Sequence, residues 1–419
     1  MTKKNIIVIG GGPAGLLAAG KAAETGAETL LLEKMTRPGR KLAITGKGRC
    51  NLTNTADITE FLTHFGKNGR FLRQAFHTFF NTDLMTFMQE HGLELVTERG
   101  GRVFPAGGKA QAVVTLLTDW ARRCGVEIRT GSPVEKLLTS GNRVTGVRVG
   151  NSEISCDTVI LATGGASYPA TGSTGDGYRL VKTLGHRIVP IRPALVPLET
   201  KGDIAGKLSD LNLRNIGVRL LINGKKKADA FGELVFANFG VTGPVILTLS
   251  GLAVDGLIAG DALGLSLDLK PALDEKKLDA RLLRDFTARA KEPISSILRG
   301  LLPMKMVSVC LEQNQILPEK MGAVISARER RRLKTWLKDF QLEITGYRPF
   351  SEAIVTAGGV DTREVDPRNM SSRLVKGLYL SGEVLDIQGD TGGYNLQAAF
   401  STGWLAGVSS GKNINKLER

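Results

Sequence analysis

Apolar and polar positions alternate in different ways along this chain, and the changes divide it. Asn5–Ile9 is a short apolar, β-branched run stopped by glycine, which predicts a buried strand. Gly10-Gly11-Gly12-Pro13-Ala14-Gly15 follows at once, residues 16–25 are good helix formers closed by Gly26, and Glu28–Leu32 reads as a second strand. That order is a βαβ unit. Further strands are predicted at 158–162, ending in Thr163-Gly164-Gly165, and at 377–380, leading into Ser381-Gly382-Glu383 and Asp386. A turn at 389–395 then opens a last helix over about 396–406. Between 191 and 350 the pattern is different. Alternating stretches at 218–223, 230–236 and 263–269 predict a barrel-like β unit, with Lys225-Lys226-Lys227 marking a hairpin tip beside Asn223-Gly224. From 274 to 342 the period becomes helical, with Leu278, Leu282, Leu283 and Phe286, then Ile294, Ile297, Leu298 and Leu301, on the apolar face.

The glycine spacing carries chemistry. In a GxGxxG on Gly10, Gly12 and Gly15, the first allows a tight turn, the second lets backbone approach a pyrophosphate, and the third lets helix pack on strand. Unpaired amides at the helix start face the phosphates, where the helix dipole also favours negative charge. Glu33, 23 residues after Gly10, stands where a carboxylate accepts hydrogen bonds from an adenosine ribose. A dehydrogenase would continue with regular βαβ repeats, whereas residues 39–51 form a Gly-, Arg- and Lys-rich loop with no acidic residue, suited to a second anion contact. The segments near 164 and 382–395 close the same site from a distance. Gly172-Ser173-Thr174-Gly175-Asp176-Gly177 follows a loop, not a strand, so it reads as a turn bordering the site and not as a second dinucleotide fingerprint.

These segments resemble the glutathione-reductase-like FAD-binding proteins and, within them, the BaiN/YhiN-type family of bacterial NAD(P)/FAD-dependent oxidoreductases. Gly101-Arg102-Val103-Phe104-Pro105, residues 193–198, 236–244 and 355–360 extend the likeness over nearly the whole chain. Asn238 stands where that family often carries His. The resemblance implies an α/β, Rossmann-like FAD-binding domain at 1–190 plus 351–419, interrupted by a β-barrel-like insert at 191–272 plus 343–350 and a helical insert at 273–342. It also implies FAD, with pyrophosphate on Gly10, Gly12, Pro13, Ala14 and Gly15, the adenosine ribose on Glu33, and Lys34 among the cofactor-binding residues. Val134, in a strand-like stretch at 128–138, would touch the adenine through backbone. Arg40, Lys41, Gly48, Arg49, Cys50, Asn51, Thr163, Gly164, Gly165, Gly382, Glu383 and Asp386 would line the middle of the cofactor. Amides at Gly393, Tyr394, Asn395 and Leu396 would face the flavin N1–C2=O edge and stabilise the negative charge of reduction.

Composition then narrows the partners. With 56 Lys and Arg against 41 Asp and Glu the net charge is +15, and residues 270–348 hold 17 basic and 10 acidic side chains. A phosphate-bearing partner is therefore expected, the run Arg328-Glu329-Arg330-Arg331-Arg332-Leu333-Lys334 being either its contact or a solvated helix face. Cys50, Cys124, Cys156 and Cys310 form no CxxC pair, which argues for a reducing cytoplasm and against a zinc or disulfide framework; no metal site is expected. The opening Met1-Thr2-Lys3-Lys4 leads into an apolar run too short for a signal segment or a membrane span. The sequence fixes no oligomeric state.

Candidate proton donors are Cys50, Tyr168, Asn238 and Tyr394, while His64, His77, His91 and His186 read as surface or core. With one fingerprint only, NAD(P)H is expected as a transient donor that leaves before the oxidant binds. Among the activities this family resemblance implies, reduction of a ribosomal RNA uridine to dihydrouridine suits the charge best. A small-molecule flavin oxidase or enone reductase, acting on an aminoacetone-like amine or a steroid, is the alternative, and a flavin-binding protein without turnover the second alternative.

Overall fold

The computed structural model describes residues 4–412, so Met1, Thr2 and Lys3 lie outside the described residues. Two compact units emerge: Met1–Pro193 with Phe350–Arg419, and Ala194–Pro349.

The first unit is built on a parallel sheet in the order Leu378–Leu380, Thr158–Leu161, Asn5–Ile9, Glu28–Leu32, Glu127–Arg129. Its strands are β-branched or leucine-rich and largely buried, as a parallel sheet covered on both faces requires. Because all five run the same way, Gly10, Glu33, Ala162 and Ser381 leave it at one edge, the carboxyl ends where open α/β sheets bind ligands. The opening helix, Pro13–Glu24, starts on a proline whose missing N–H costs nothing there. The last helix, Tyr394–Gly411, lies against it through glycines one turn apart. A Cβ on Gly403 would sit 2.3 Å from Ala14 O, one on Gly407 2.4 Å from Ala18 O, and one on Gly411 1.7 Å from Thr25 Oγ1.

Three sequence expectations change here. The stretch 128–138 is two strands, Glu127–Arg129 in the parallel sheet and Val134–Ser140 in an antiparallel meander, separated by Gly131 at φ +64°. The basic loop 39–51 begins as a helix, Arg40–Gly48, broken where Gly46 and Lys47 take left-handed backbone. Both predicted helices start earlier, at Pro13 and Tyr394, because extended Gly12 and left-handed Gly393 act as N-caps.

The second unit holds a closed barrel in the order Leu198–Thr200, Gly240–Thr242, Lys225–Ala237, Asn212–Ile222, Leu263–Asp268, Phe340–Tyr347. Asn223 at φ +51° and Gly224 at φ +73° make the two-residue turn of its longest hairpin. The last strand starts at Phe340, three residues ahead of the expected barrel segment. Helices Glu275–Ala288, Ile294–Leu298, Met304–Asn314 and Ala327–Lys338 share one apolar core with the barrel, although Leu283, expected inside, is exposed. A further helix, Pro244–Ile258, is not visible in the alternating pattern around it. The Arg328–Lys334 run lies on Ala327–Lys338 under a capping box of Ser326 and Glu329. Arg330 pairs with Asp279 at 3.2 Å, Lys334 with Glu275 at 3.6 Å, and Arg332 donates to Asn314 O at 2.7 Å. Three of its five cations are thus structural, which removes most of the expected phosphate patch.

Candidate functional site

At the carboxyl edge of the parallel sheet the three fingerprint glycines divide their work. A Cβ on Gly10 would lie 2.5 Å from Ala162 O and one on Gly15 1.8 Å from Gly10 O, so these two close the turn against the next strand and the helix. Gly12 faces open space, with nothing within 4 Å of a Cβ built there. It caps the opening helix without a side-chain acceptor, and no acid stands in the first turn, so the leading amides remain free for an anion. Glu33 is already oriented: Gly11 N donates to its Oε2 at 2.7 Å and Met35 N to its Oε1 at 2.8 Å. The loop before Val134 runs alongside, with Ser132 N donating to Glu33 O and Gly131 N to Met35 O. Lys34 bonds Thr174 and Asp176, so the glycine turn at 172–177 adjoins this end and Lys34 faces an acid of its own chain.

The middle of the site joins four distant segments. Lys41 Nζ lies 2.7 Å from Glu383 Oε2 and 2.6 Å from Ser167 Oγ, while Glu383 Oε1 accepts from Thr356 N at 2.8 Å and Ser167 Oγ at 3.2 Å. Gly165 is required beneath them, since its Cβ would reach Thr356 Oγ1 at 2.4 Å. Gly382, left-handed at φ +74°, lets this turn pass over Ala14, and its N–H donates to Thr402 Oγ1 on the last helix. Asp386 is buried and its carboxylate accepts no hydrogen bond among the described residues. Burial, then the charges of Glu383 and Asp386, push the Tyr178 phenol far above its usual range, so it stays protonated, its hydroxyl 3.4 Å from Glu383 O.

At the far end, Gly393 lies against Thr53, which a Cβ would strike at 2.4 Å, and Asn54 Nδ2 donates to Gly392 O at 3.2 Å. The Asn395 side chain is spent on its own turn, accepting from Gly389 N and donating to Gly389 O and Asp390 O, which leaves backbone for a ligand. Tyr394 stacks on His64 with centroids 3.8 Å apart, and His64 Nδ1 lies 2.8 Å from Asp390 Oδ2. His64 therefore belongs to this end, against the expectation that all four histidines stand apart; its position at the end of the short helix Ile58–Thr63 gave no signal. His186 is a core histidine between Glu364 and Ser372.

The remaining candidates separate. Cys50 is fully buried with left-handed backbone, and burial pushes its thiol up to about 12 against a weaker bond from Thr45, so it packs rather than exchanges protons. Arg49, next to Gly48, turns outward to Glu98 and over the Phe104 ring. Tyr168 borders the Ser167 cluster, its N–H bonded to Phe350 O. Asn238 lies in the second unit, in the turn between Lys225–Ala237 and Gly240–Thr242. Arg40 is half-buried beside Gly39, and Leu396 packs on the core.

Among the buried oxygens without a partner in the described residues are Asn51 Oδ1, Thr163 Oγ1, Ser381 Oγ and Gln388 Oε1, all in the first unit. Orphaned acceptors, an open Gly12 and free helix-start amides fit a group that carries phosphates and many polar atoms. Fold and site define an FAD-dependent oxidoreductase with a Rossmann-like sheet. The chain belongs to the family described as HI0933-like protein Rossmann domain, whose model matches residues 4–409. A 3-dehydro-bile acid Δ(4,6)-reductase of Clostridium scindens is 33% identical over 402 residues, 96% of this chain and 97% of that protein. A ribosomal RNA dihydrouridine synthase of Escherichia coli is 29% identical over 404 residues, with the same shares covered. Among solved structures, 3-ketosteroid-Δ4-(5α)-dehydrogenase from Rhodococcus jostii RHA1 in complex with 4-androstene-3,17-dione superposes with a TM-score of 0.53 at 15% identity, over 98% of this chain and 97% of that one. Among the described residues no helix is long and apolar enough to cross a membrane.

Proposed function

We propose that this protein reduces a carbon–carbon double bond conjugated to a carbonyl, and that the bond is the C5=C6 of a uracil in ribosomal RNA. The relatives named for bile acid Δ(4,6)-reduction and for dihydrouridine formation share that reaction class, since the uracil C5=C6 is conjugated to C4=O as the double bond of an enone is to its carbonyl. Bound in the first unit, FAD supplies the hydride chemistry that side chains lack. Gly12 and the opening amides hold its diphosphate, and Glu33, fixed by two amides, accepts from the ribose. Lys41 pairs with Glu383 where the segments meet and holds the half-buried acid in place. At the far end stand His64, bonded to Asp390, and Tyr394, whose phenol burial keeps protonated. NAD(P)H serves as a donor that departs before the acceptor docks, in the cytoplasm that four free thiols suit.

The observation that carries the flavin is the open Gly12 beneath unpaired amides; what favours RNA over a steroid is the net charge of +15. The second reading, a steroid-like enone, is favoured by the 33% relative. Anaerobic incubation of the reconstituted enzyme with NADH and either a ribosomal RNA fragment or a 3-keto-Δ4 steroid separates them. Dihydrouridine found by nucleoside mass spectrometry supports the first; steroid reduction with the RNA unchanged replaces it with the second.

A further inference from the structure

The second unit holds an open cleft of about 610 Å³ that the flavin reading leaves unused. Arg214, Asn215, Phe231, Lys270 and Arg281 line it. Arg281 is bonded to Asp285 at 2.6 Å and Arg214 lies 3.8 Å from Glu233, so both cations have partners. Lys270 has none. Its ammonium is half-buried and meets no anion among the described residues, because the nearby Asp268 is committed to the Lys270 N–H at 3.0 Å and to the Lys338 ammonium at 2.6 Å. Burial, and then the charge of Arg281, hold the Lys270 pKa below the usual lysine range. A cation drawn from water beside a second cation is stabilised by an arriving anion.

The aromatic at the rim points to the rest of the ligand. Phe231 is 65% exposed on the outward face of Lys225–Ala237, and its cross-strand partner is Gly217, so no side chain opposite covers the ring. Asn215, left-handed at φ +54°, sits where the pairing skips from Leu213 to Ile216 and is exposed beside it. We propose that this cleft binds a nucleotide unit, with the phosphate on Lys270 and Arg281, the base stacked on Phe231, and Arg214 and Asn215 at its polar edge. The site is complete within the second unit. It stands without the flavin; if the uridine reading holds, the nucleotide belongs to the RNA strand.

The test is anisotropy titration of the FAD-reconstituted full chain with labelled oligouridylate, with uridine monophosphate and polyphosphate as competitors. Phe231→Ala and Lys270→Met should each weaken oligouridylate about tenfold or more, Lys270→Met also lowering the salt dependence, while melting temperature and bound-flavin absorbance stay at wild type. Arg330→Ala should lower the melting temperature by breaking the Asp279 pair and leave affinity unchanged. Oligouridylate binding far above the monophosphate identifies a strand as the source; equal binding identifies a free nucleotide, and both support the cleft. Unchanged affinity in both cleft variants, or polyphosphate competing equally well for wild type and Phe231→Ala, overturns it. Flavin retention is read in the same samples, so failure here is distinguishable from failure of the reductase reading.

Discussion

In the first unit the positions that shape the site have nothing beyond Cα: Gly10, Gly12, Gly15, Gly165, Gly382 and Gly393 let backbone amides and neighbouring strands approach. In the second unit the cleft is made by the ends of long side chains, Arg214, Lys270 and Arg281, around one exposed ring. A backbone site tolerates no added atom where chain meets chain, but a side-chain site loses only the contact removed. The contrast therefore predicts different costs for substitution, and different legibility in the sequence.

The largest effect expected is at Gly15. Gly15→Val places carbon against Gly10 O and should abolish both flavin binding and cooperative melting of the apo chain, whereas Gly12→Val, directed into open space, should keep the apo melting temperature within a few degrees and still lose flavin. If the two variants behave alike, the division of labour among these glycines is wrong. Next is Glu33→Ala, which removes an acceptor of two amides and of the ribose. FAD affinity measured by fluorescence quenching should fall by about 1.5–3 kcal/mol, roughly ten- to a hundredfold.

A smaller effect belongs to Lys41→Met, which strands Glu383 among Thr356 and Ser167. Both partners keep about a fifth of their side-chain surface in water, so a loss of about 1–2 kcal/mol in apo stability is expected by denaturant unfolding. Lys41→Met with Glu383→Gln should recover part of it. The smallest is a pH effect at His186. Burial lowers its pKa below 6.5 despite Glu364, so the folded chain holds it neutral while the unfolded chain takes up a proton as pH falls below that value. Stability is thus lost as pH drops from about 6.5 toward the folded pKa and is unaffected above it. His186→Gln should flatten the melting temperature over that window.

How much was legible follows the same line. The βαβ start and the convergence of 40–51, 164 and 382–396 could be read because glycine reports a backbone requirement directly. The Gly403, Gly407, Gly411 seam went unread, since its meaning depends on the opening helix it meets. His64 was not legible, since only the folded turn brings Asp390 and Tyr394 to it. Asn395 was expected to offer its backbone amide; that its side chain pins its own turn is visible only in the fold. The Arg328–Lys334 run looked like an anion patch, yet acids 40 to 60 residues away take up Arg330 and Lys334. Conversely Phe231 and Lys270, 39 positions apart, carry no shared motif, and the barrel alone brings them to one cleft.

In the proposed flavin site the open Gly12 receives the dinucleotide's phosphates. Gel filtration of the apo chain after incubation with excess FAD tests it most directly. Flavin absorbance should elute with wild type at one flavin per chain, and none with Gly12→Val of unchanged melting temperature. A wild-type chain that elutes colourless, or a Gly12→Val chain that elutes fully loaded, would contradict it.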